Sequence, residues 1–169
     1  IAYNLLRERD GGDPSVIVNG FVQAIAHVWG KEGTTETPLF ARWVTHILNV
    51  LYEKKLTLLE AEHLIDLVGK ELRRELTRNL KARGATQDWA YANSLIAKDF
   101  DAQISSTINR LKPFLNTKVL RQMFGQDRVS LDLAESLKEG HIILVNLSPA
   151  HGRISEDDAS LFATLLLSD

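Results

Sequence analysis

Six cations crowd the stretch from Lys70 to Arg83: Lys70, Arg73, Arg74, Arg78, Lys81 and Arg83 stand against only Glu71 and Glu75. The formal net charge of the whole chain is −2. Against that background such a run is where a polyanion would be met, because Lys and Arg neutralise phosphates and release the counterions held on them. These six residues are the expected nucleic-acid contacts; the competing reading is a solvated helix face. Arg110, Lys112, Lys118 and Arg121 form a second, looser group. Arg153 follows an apolar run, in the kind of loop where α/β proteins place functional groups.

Other chemistries find little to work with. There is no cysteine, so a disulfide framework, a thiolate nucleophile and a Cys-ligated metal are excluded. Gly30-Lys31 is followed by Glu32 and has no upstream glycine, so it lacks the ring of amides that cradles a nucleotide's phosphates. Glu60-x-x-His63 has the spacing of a di-metal helix bundle, which requires a second such pair and two more glutamates; no second pair exists. No Gly-x-Ser-x-Gly elbow accompanies the five histidines, which read as packing or surface residues. No catalytic and no metal-binding residue is expected in this chain.

The elements that must carry these residues are mostly helices. Asp13-Pro14 is a start signal, and Ile17, Phe21, Ile25 and Val28 follow at helical spacing to about Trp29. Thr37-Pro38 repeats the signal ahead of a stripe of Phe40, Trp43, Val44, Ile47, Leu48 and Leu51. Thr57-Leu58-Leu59-Glu60 fits a capping box opening a helix through Val68, and Gly69 marks a bend before a charged helix over 70–80. Arg83 to Thr86 reads as a connection. From Asp88 to Leu111 the spacing predicts one long helix or a kinked pair, interrupted at Pro113. A short helix over 118–124 should end at Gly125 in a left-handed conformation.

Beyond Gly125 the pattern changes. Val129-Ser130-Leu131 alternates like a short strand, and Asp132 to Leu137 suits a helical turn or two. Ile142-Ile143-Leu144-Val145-Asn146-Leu147, bounded by Gly140 and Pro149, reads as a strand buried on both faces, as in a parallel sheet. Ser155 caps a final helix that continues through Leu167, so the tail Leu165-Leu166-Leu167-Ser168-Asp169 is helix rather than a strand ending in a magnesium-binding carboxylate.

The 169 residues, 44% hydrophobic and 25% charged, are those of an ordinary globular chain long enough for a sizeable core. The lack of any apolar run of about 20 residues speaks against a membrane span, and the absence of cysteine suits a reducing compartment, so a cytoplasmic location is expected. The start at Ile1 and the abrupt apolar end suggest a piece of a longer protein. One buried-type strand cannot make a sheet by itself, so its neighbours should lie outside the chain.

Four segments together resemble a known group: Tyr3-Asn4-Leu5-Leu6; Asp132-Leu133; Leu137-Lys138-Glu139-Gly140-His141 with the strand and Ser148; and Ile154-Ser155-Glu156-Asp157-Asp158-Ala159. They are similar to the hexameric DNA-translocating P-loop ATPases of the HerA and FtsK superfamily, especially the coupling ATPases of conjugation and type IV secretion. The resemblance implies a mainly α chain, a multi-helix subdomain followed by a strand-helix piece of an α/β ATPase core. Residues 1–13 would lead out of the motor core, 14–126 would form the helical subdomain, and 127–169 would be a partial core segment. It also implies that both nucleotide motifs lie outside the chain. ATP and magnesium then belong to the parent alone, self-association or a hexamer is expected of the parent, and any membrane contact is made by parts outside this chain. The rival reading is a standalone helical protein-interaction module with no motor.

Overall fold

A computed structural model describes residues 6, 14–29, 38–126, 132–148 and 154–167. Among them nine α-helices occur and no strand. They are α1 (Pro14–Trp29), α2 (Pro38–Glu53), α3 (Ala61–Ile65), α4 (Lys70–Leu76), α5 (Arg83–Ser94), α6 (Ala97–Asn116), α7 (Lys118–Phe124), α8 (Leu133–Lys138) and α9 (Glu156–Leu167), with a 3-10 turn at Leu58–Glu60. The chain is mainly helical, as expected.

Helix α2 is central because its stripe is the widest. Phe40, Trp43, Val44, Ile47, Leu48, Val50 and Leu51 are all buried, and the helix packs against α1 and α6. Trp43 meets Trp89 of α5 edge-on, with ring centroids 5.1 Å apart. Helix α9 lies on α1 and places Leu161, Phe162, Leu165 and Leu166 in the same core. Its Phe162 sits 6.0 Å from Phe124 of α7. The last helix therefore shares the hydrophobic cluster of the helical body.

The capping box forms as the sequence predicts: Thr57 Oγ1 accepts from Leu59 N, and the Glu60 carboxylate accepts from Thr57 N at 2.7 Å. Helix α3 nevertheless stops at Ile65, short of Val68. The Asp66 carboxylate accepts from Val68 N at 2.9 Å, and this local bond replaces the helical one. Gly69 then becomes the residue preceding α4, so the bend is a full break. Helix α4 ends four residues early, where Asn79 takes a left-handed φ of 57°.

Three further expectations are corrected. Arg83 to Thr86 is the first turn of α5 and not a connection. Pro113 does not end α6, which runs on to Asn116; burial of Leu111 and Leu115 along one face offsets the amide bond that a proline cannot make. Gly125 has φ −87°, so it is not left-handed. It is glycine for space, since a Cβ there would lie 2.4 Å from Leu59 Cδ1 and 2.7 Å from the Arg121 carbonyl oxygen.

The strand expected at 142–147 does not form. Residues 141–148 carry no helix or ladder, with Ile142 and Leu144 about nine-tenths exposed and Leu147 packed on the core. A strand is completed by a neighbour's amides and carbonyls, and no described segment supplies them. What precedes it is well defined. Asp132 caps α8 by accepting from Glu135 N, and Gly140, at φ +76°, closes it: Gly140 N donates to Leu137 O and His141 N to Ser136 O, a Schellman pair. The short strand expected at 129–131 and the leading segment 1–13, apart from buried Leu6, lie outside the described residues, as does Gly30-Lys31.

Candidate nucleic-acid interface

The fold divides the six cations of the 70–83 segment. Arg73 is buried, with only 1% of its surface exposed. Its Nε donates to Asn93 Oδ1 at 2.9 Å, its Nη1 to the Asp66 carbonyl oxygen at 2.6 Å, and the guanidinium lies 3.8 Å over the Phe100 ring. Burial lowers its pKa, opposed by the nearby charge of Asp66. Asn93 Nδ2 donates in turn to Thr77 Oγ1 at 3.0 Å, so the guanidinium anchors a small internal polar network. The expected phosphate contact at Arg73 is therefore corrected: a buried guanidinium cannot reach a backbone phosphate.

Lys70 and Arg74 flank it with a related task. Lys70 Nζ donates to Leu95 O at 3.1 Å and Arg74 Nη2 reaches Asn93 O at 3.4 Å. Both carbonyls lie at the C-terminal end of α5, where the last carbonyls have no helical partner and the helix dipole favours cations. Two of the six cations thus close the end of a neighbouring helix.

Arg78 and Lys81 are exposed, and the fold adds a cation the sequence reading missed. Lys54, just past α2, donates from Nζ to Arg78 O at 3.0 Å. The Glu53 carboxylate accepts from Lys81 N at 2.7 Å and Ala82 N at 3.2 Å. The turn after α2 and the turn between α4 and α5 are thereby tied together, bringing Lys54, Lys55, Arg78 and Lys81 to one junction beside Glu53 and Glu75. Only the pair Lys54-Lys55 at a helix end could have hinted at this. Arg83 heads α5, but its side chain lies outside the described residues, as does Arg153.

In the second group Lys112 and Lys118 are exposed, and the two arginines are engaged elsewhere. Arg110 lies 5.0 Å over Phe40 and donates to Ser106 O, while Arg121 pairs with Glu62 and donates to Leu115 O. Glu60 is held in its capping box and His63 is exposed, which agrees with the helix-surface reading of that pair. No group of three potential metal ligands occurs among the described residues.

One polar constellation was not foreseen. Asp88 of α5 accepts from both Nε and Nη2 of Arg42, at 2.7 Å for Nε, and lies 2.6 Å from His46 Nε2. Arg42 and His46 are one turn apart on α2, so a single carboxylate joins two helices. The Arg42 hydrogen bonds hold the Asp88 carboxyl below its usual range, against partial burial, and the same bonds raise Arg42. The i, i+4 spacing of Arg42 and His46 was visible in the sequence, but their distant partner was not.

No protein-family model, curated protein or solved structure matches this chain. Among the described residues no helix is long and apolar enough to cross a membrane.

Proposed function

We propose that this chain is a helical subdomain with a small adjoining piece of motor core, from a cytoplasmic P-loop ATPase that moves DNA or a DNA–protein substrate, as in conjugation or type IV secretion. One observation supports the reading beyond the sequence resemblance. The run Ile142 to Leu147 is apolar on both faces, yet Ile142 and Leu144 are 89% and 91% exposed beside a well-packed helical body. Such a run suits a sheet and a covering layer supplied by other parts of a larger protein. ATP and magnesium would be held by the parent's own loop and carboxylate motifs, and hexamer formation would likewise be a property of the parent. No step of ATP hydrolysis is assigned to residues of this chain.

The test is direct. The encoding gene should carry a glycine-rich loop ending in Lys-Ser or Lys-Thr upstream and an apolar run ending in Asp-Glu downstream, and the full polypeptide should hydrolyse ATP faster with DNA. Calorimetric titration of the 169-residue chain with ATP and magnesium should show no binding, because amides and a lysine preorganised around the phosphates supply most of that affinity. Flanks without either motif, or micromolar ATP binding by the chain alone, would overturn the proposal.

A second reading has its own observation. Val68, Leu72 and Ile96 are exposed on the helical body itself, at 85%, 46% and 65%, as a protein-interaction module would present them. A parent without nucleotide motifs would favour it.

A further inference from the structure

Of the basic run singled out by the sequence, Arg73 is buried and Lys70 and Arg74 bond to the end of α5, which leaves Arg78 and Lys81 facing solvent beside Lys54. We propose that nucleic-acid backbone is contacted at the junction of the turn after α2 and the turn between α4 and α5, through Lys54, Arg78 and Lys81. This inference rests on the proposed DNA-handling function and locates the contact within it.

Four features of the junction carry the argument. First, it is held in shape before any ligand arrives: Lys54 Nζ is fixed on Arg78 O, and Glu53 on two successive amides, Lys81 N and Ala82 N. A preorganised surface loses less side-chain and loop freedom on binding. Second, the cations keep donors in hand. An ammonium has three N–H groups and Lys54 uses one of them toward Arg78 O. The pair between Arg78 and Glu75 is long, at 3.9 Å, with both side chains at least 70% exposed, so it contributes little and yields readily to a phosphate.

Third, the two carboxylates named here compete weakly: Glu53 is occupied by backbone amides, and Glu75 is the loose partner just described. Fourth, no fully exposed side chain of the two turns is apolar. Leu80 is buried, Leu56 half-buried, and the exposed side chains from Lys54 to Lys55 and from Arg78 to Lys81 are all cations or Asn79. Protein partners are gripped through buried apolar and aromatic anchors, whereas a phosphate backbone is met by cations alone. The exposed large apolar residues of the helical body, among them Val16, Val68, Leu72, Tyr91 and Ile96, belong to other segments. A contact made by exposed cations to backbone phosphates carries no sequence preference.

The experiment is fluorescence anisotropy with the 169-residue chain and two labelled DNA duplexes of unrelated sequence. The variant Lys54→Gln/Arg78→Gln/Lys81→Gln removes the charges at exposed positions, and its far-UV circular dichroism should match the parent chain. At about 50 mM salt the triple variant should lose at least roughly tenfold in affinity for both duplexes, and its slope of log K against log salt should flatten by about 2.7, for three phosphates released. A control, Lys112→Gln/Lys118→Gln, should bind like the parent chain. Retained binding in the triple variant, no binding by the parent chain up to roughly 100 µM at that salt, or equal binding to polyglutamate of matched charge would each overturn the proposal, the last in favour of an acidic protein. Failure of the motor reading is seen separately, in flanks that lack nucleotide motifs while junction-dependent DNA binding persists.

Discussion

Arg73→Met separates the two roles a cation in this segment could play. If Arg73 faced solvent, losing it would weaken polyanion binding and leave the fold intact. Buried as it is, its loss strips Asn93 Oδ1 and the Asp66 carbonyl of a charged donor and removes the cation stacked on Phe100. Hydrogen bonds from a charged group contribute about 1.5–3 kcal/mol each, and a buried acceptor left without a partner costs about 1–3 kcal/mol. Stacking away from water adds up to about 2 kcal/mol. Against these stands the desolvation cost that a methionine does not incur, which leaves a net loss of about 3–5 kcal/mol. For a chain of this size each kcal/mol shifts the melting temperature by about 2–4 °C, so the variant should melt roughly 6–20 °C below the parent chain. Arg73→Lys should recover only part of that, because one ammonium cannot reproduce a fork that serves two acceptors while lying flat on a ring. Thermal unfolding followed at 222 nm measures both. A methionine variant melting within about 2 °C of the parent chain would refute the assignment of Arg73 to the core.

Three more outcomes follow from the same contacts. Asp88 has a depressed carboxyl pKa in the folded state, so its contribution is present above the unfolded value of about 3.9 and disappears as pH falls through the lower folded value; Asp88→Asn should melt lower at neutral pH and show a shallower acid decline in a pH series of melts, and an unchanged acid profile would exclude this carboxylate as a source. Gly125→Ala should destabilise by about 1–3 kcal/mol through overpacking, and Leu59→Ala should relieve it only in part because the Arg121 carbonyl stays 2.7 Å from the new methyl; equal stability in urea would show that α7 shifts freely. Hydrogen exchange should be fast from Ile142 to Leu147 and slow across α2 and α9, and protected amides in that run would mean it already has a strand partner.

Many local signals in the sequence hold where their partners are also local, the exception being Asp66, whose bond from Val68 N stops α3 early. Pro14 and Pro38 open helices because a first-turn proline lacks only an amide that would have no helical partner, and the α2 stripe is so regular that no tertiary context could have moved it. The Thr57–Glu60 box and the Ser155 cap, where Ser155 Oγ accepts from Asp158 N, are satisfied within four residues. Other misreadings came from competition with distant groups. Gly125 has the composition of a left-handed cap, but the constraint on it is Leu59, far away in sequence. Arg73 is polar by type, and only the meeting of Asp66, Asn93 and Phe100 makes a buried site for it. The candidate site was legible as a charge excess and illegible as a surface, since Lys54 joins Arg78 across 24 residues.

The run from Ile142 to Leu147 shows the same limit from the opposite side. Its residues carry the pattern of two-sided burial, and that pattern states a need without naming what meets it. In this chain Ile143 is half-buried and Leu147 packs on the helical body, while Ile142 and Leu144 point to solvent. Burying those two side chains would yield about 1.5–3 kcal/mol each, and pairing the backbone would satisfy amides that now rely on water. The ordering cost of a strand, about 1–2 kcal/mol per residue in a free chain, is reduced here because the Schellman turn at Gly140 fixes one end and Leu147 holds the other. A neighbouring sheet would thus gain an already tethered strand at modest entropic cost. That balance, more than any single contact, is what favours placing this segment at the edge of a larger assembly.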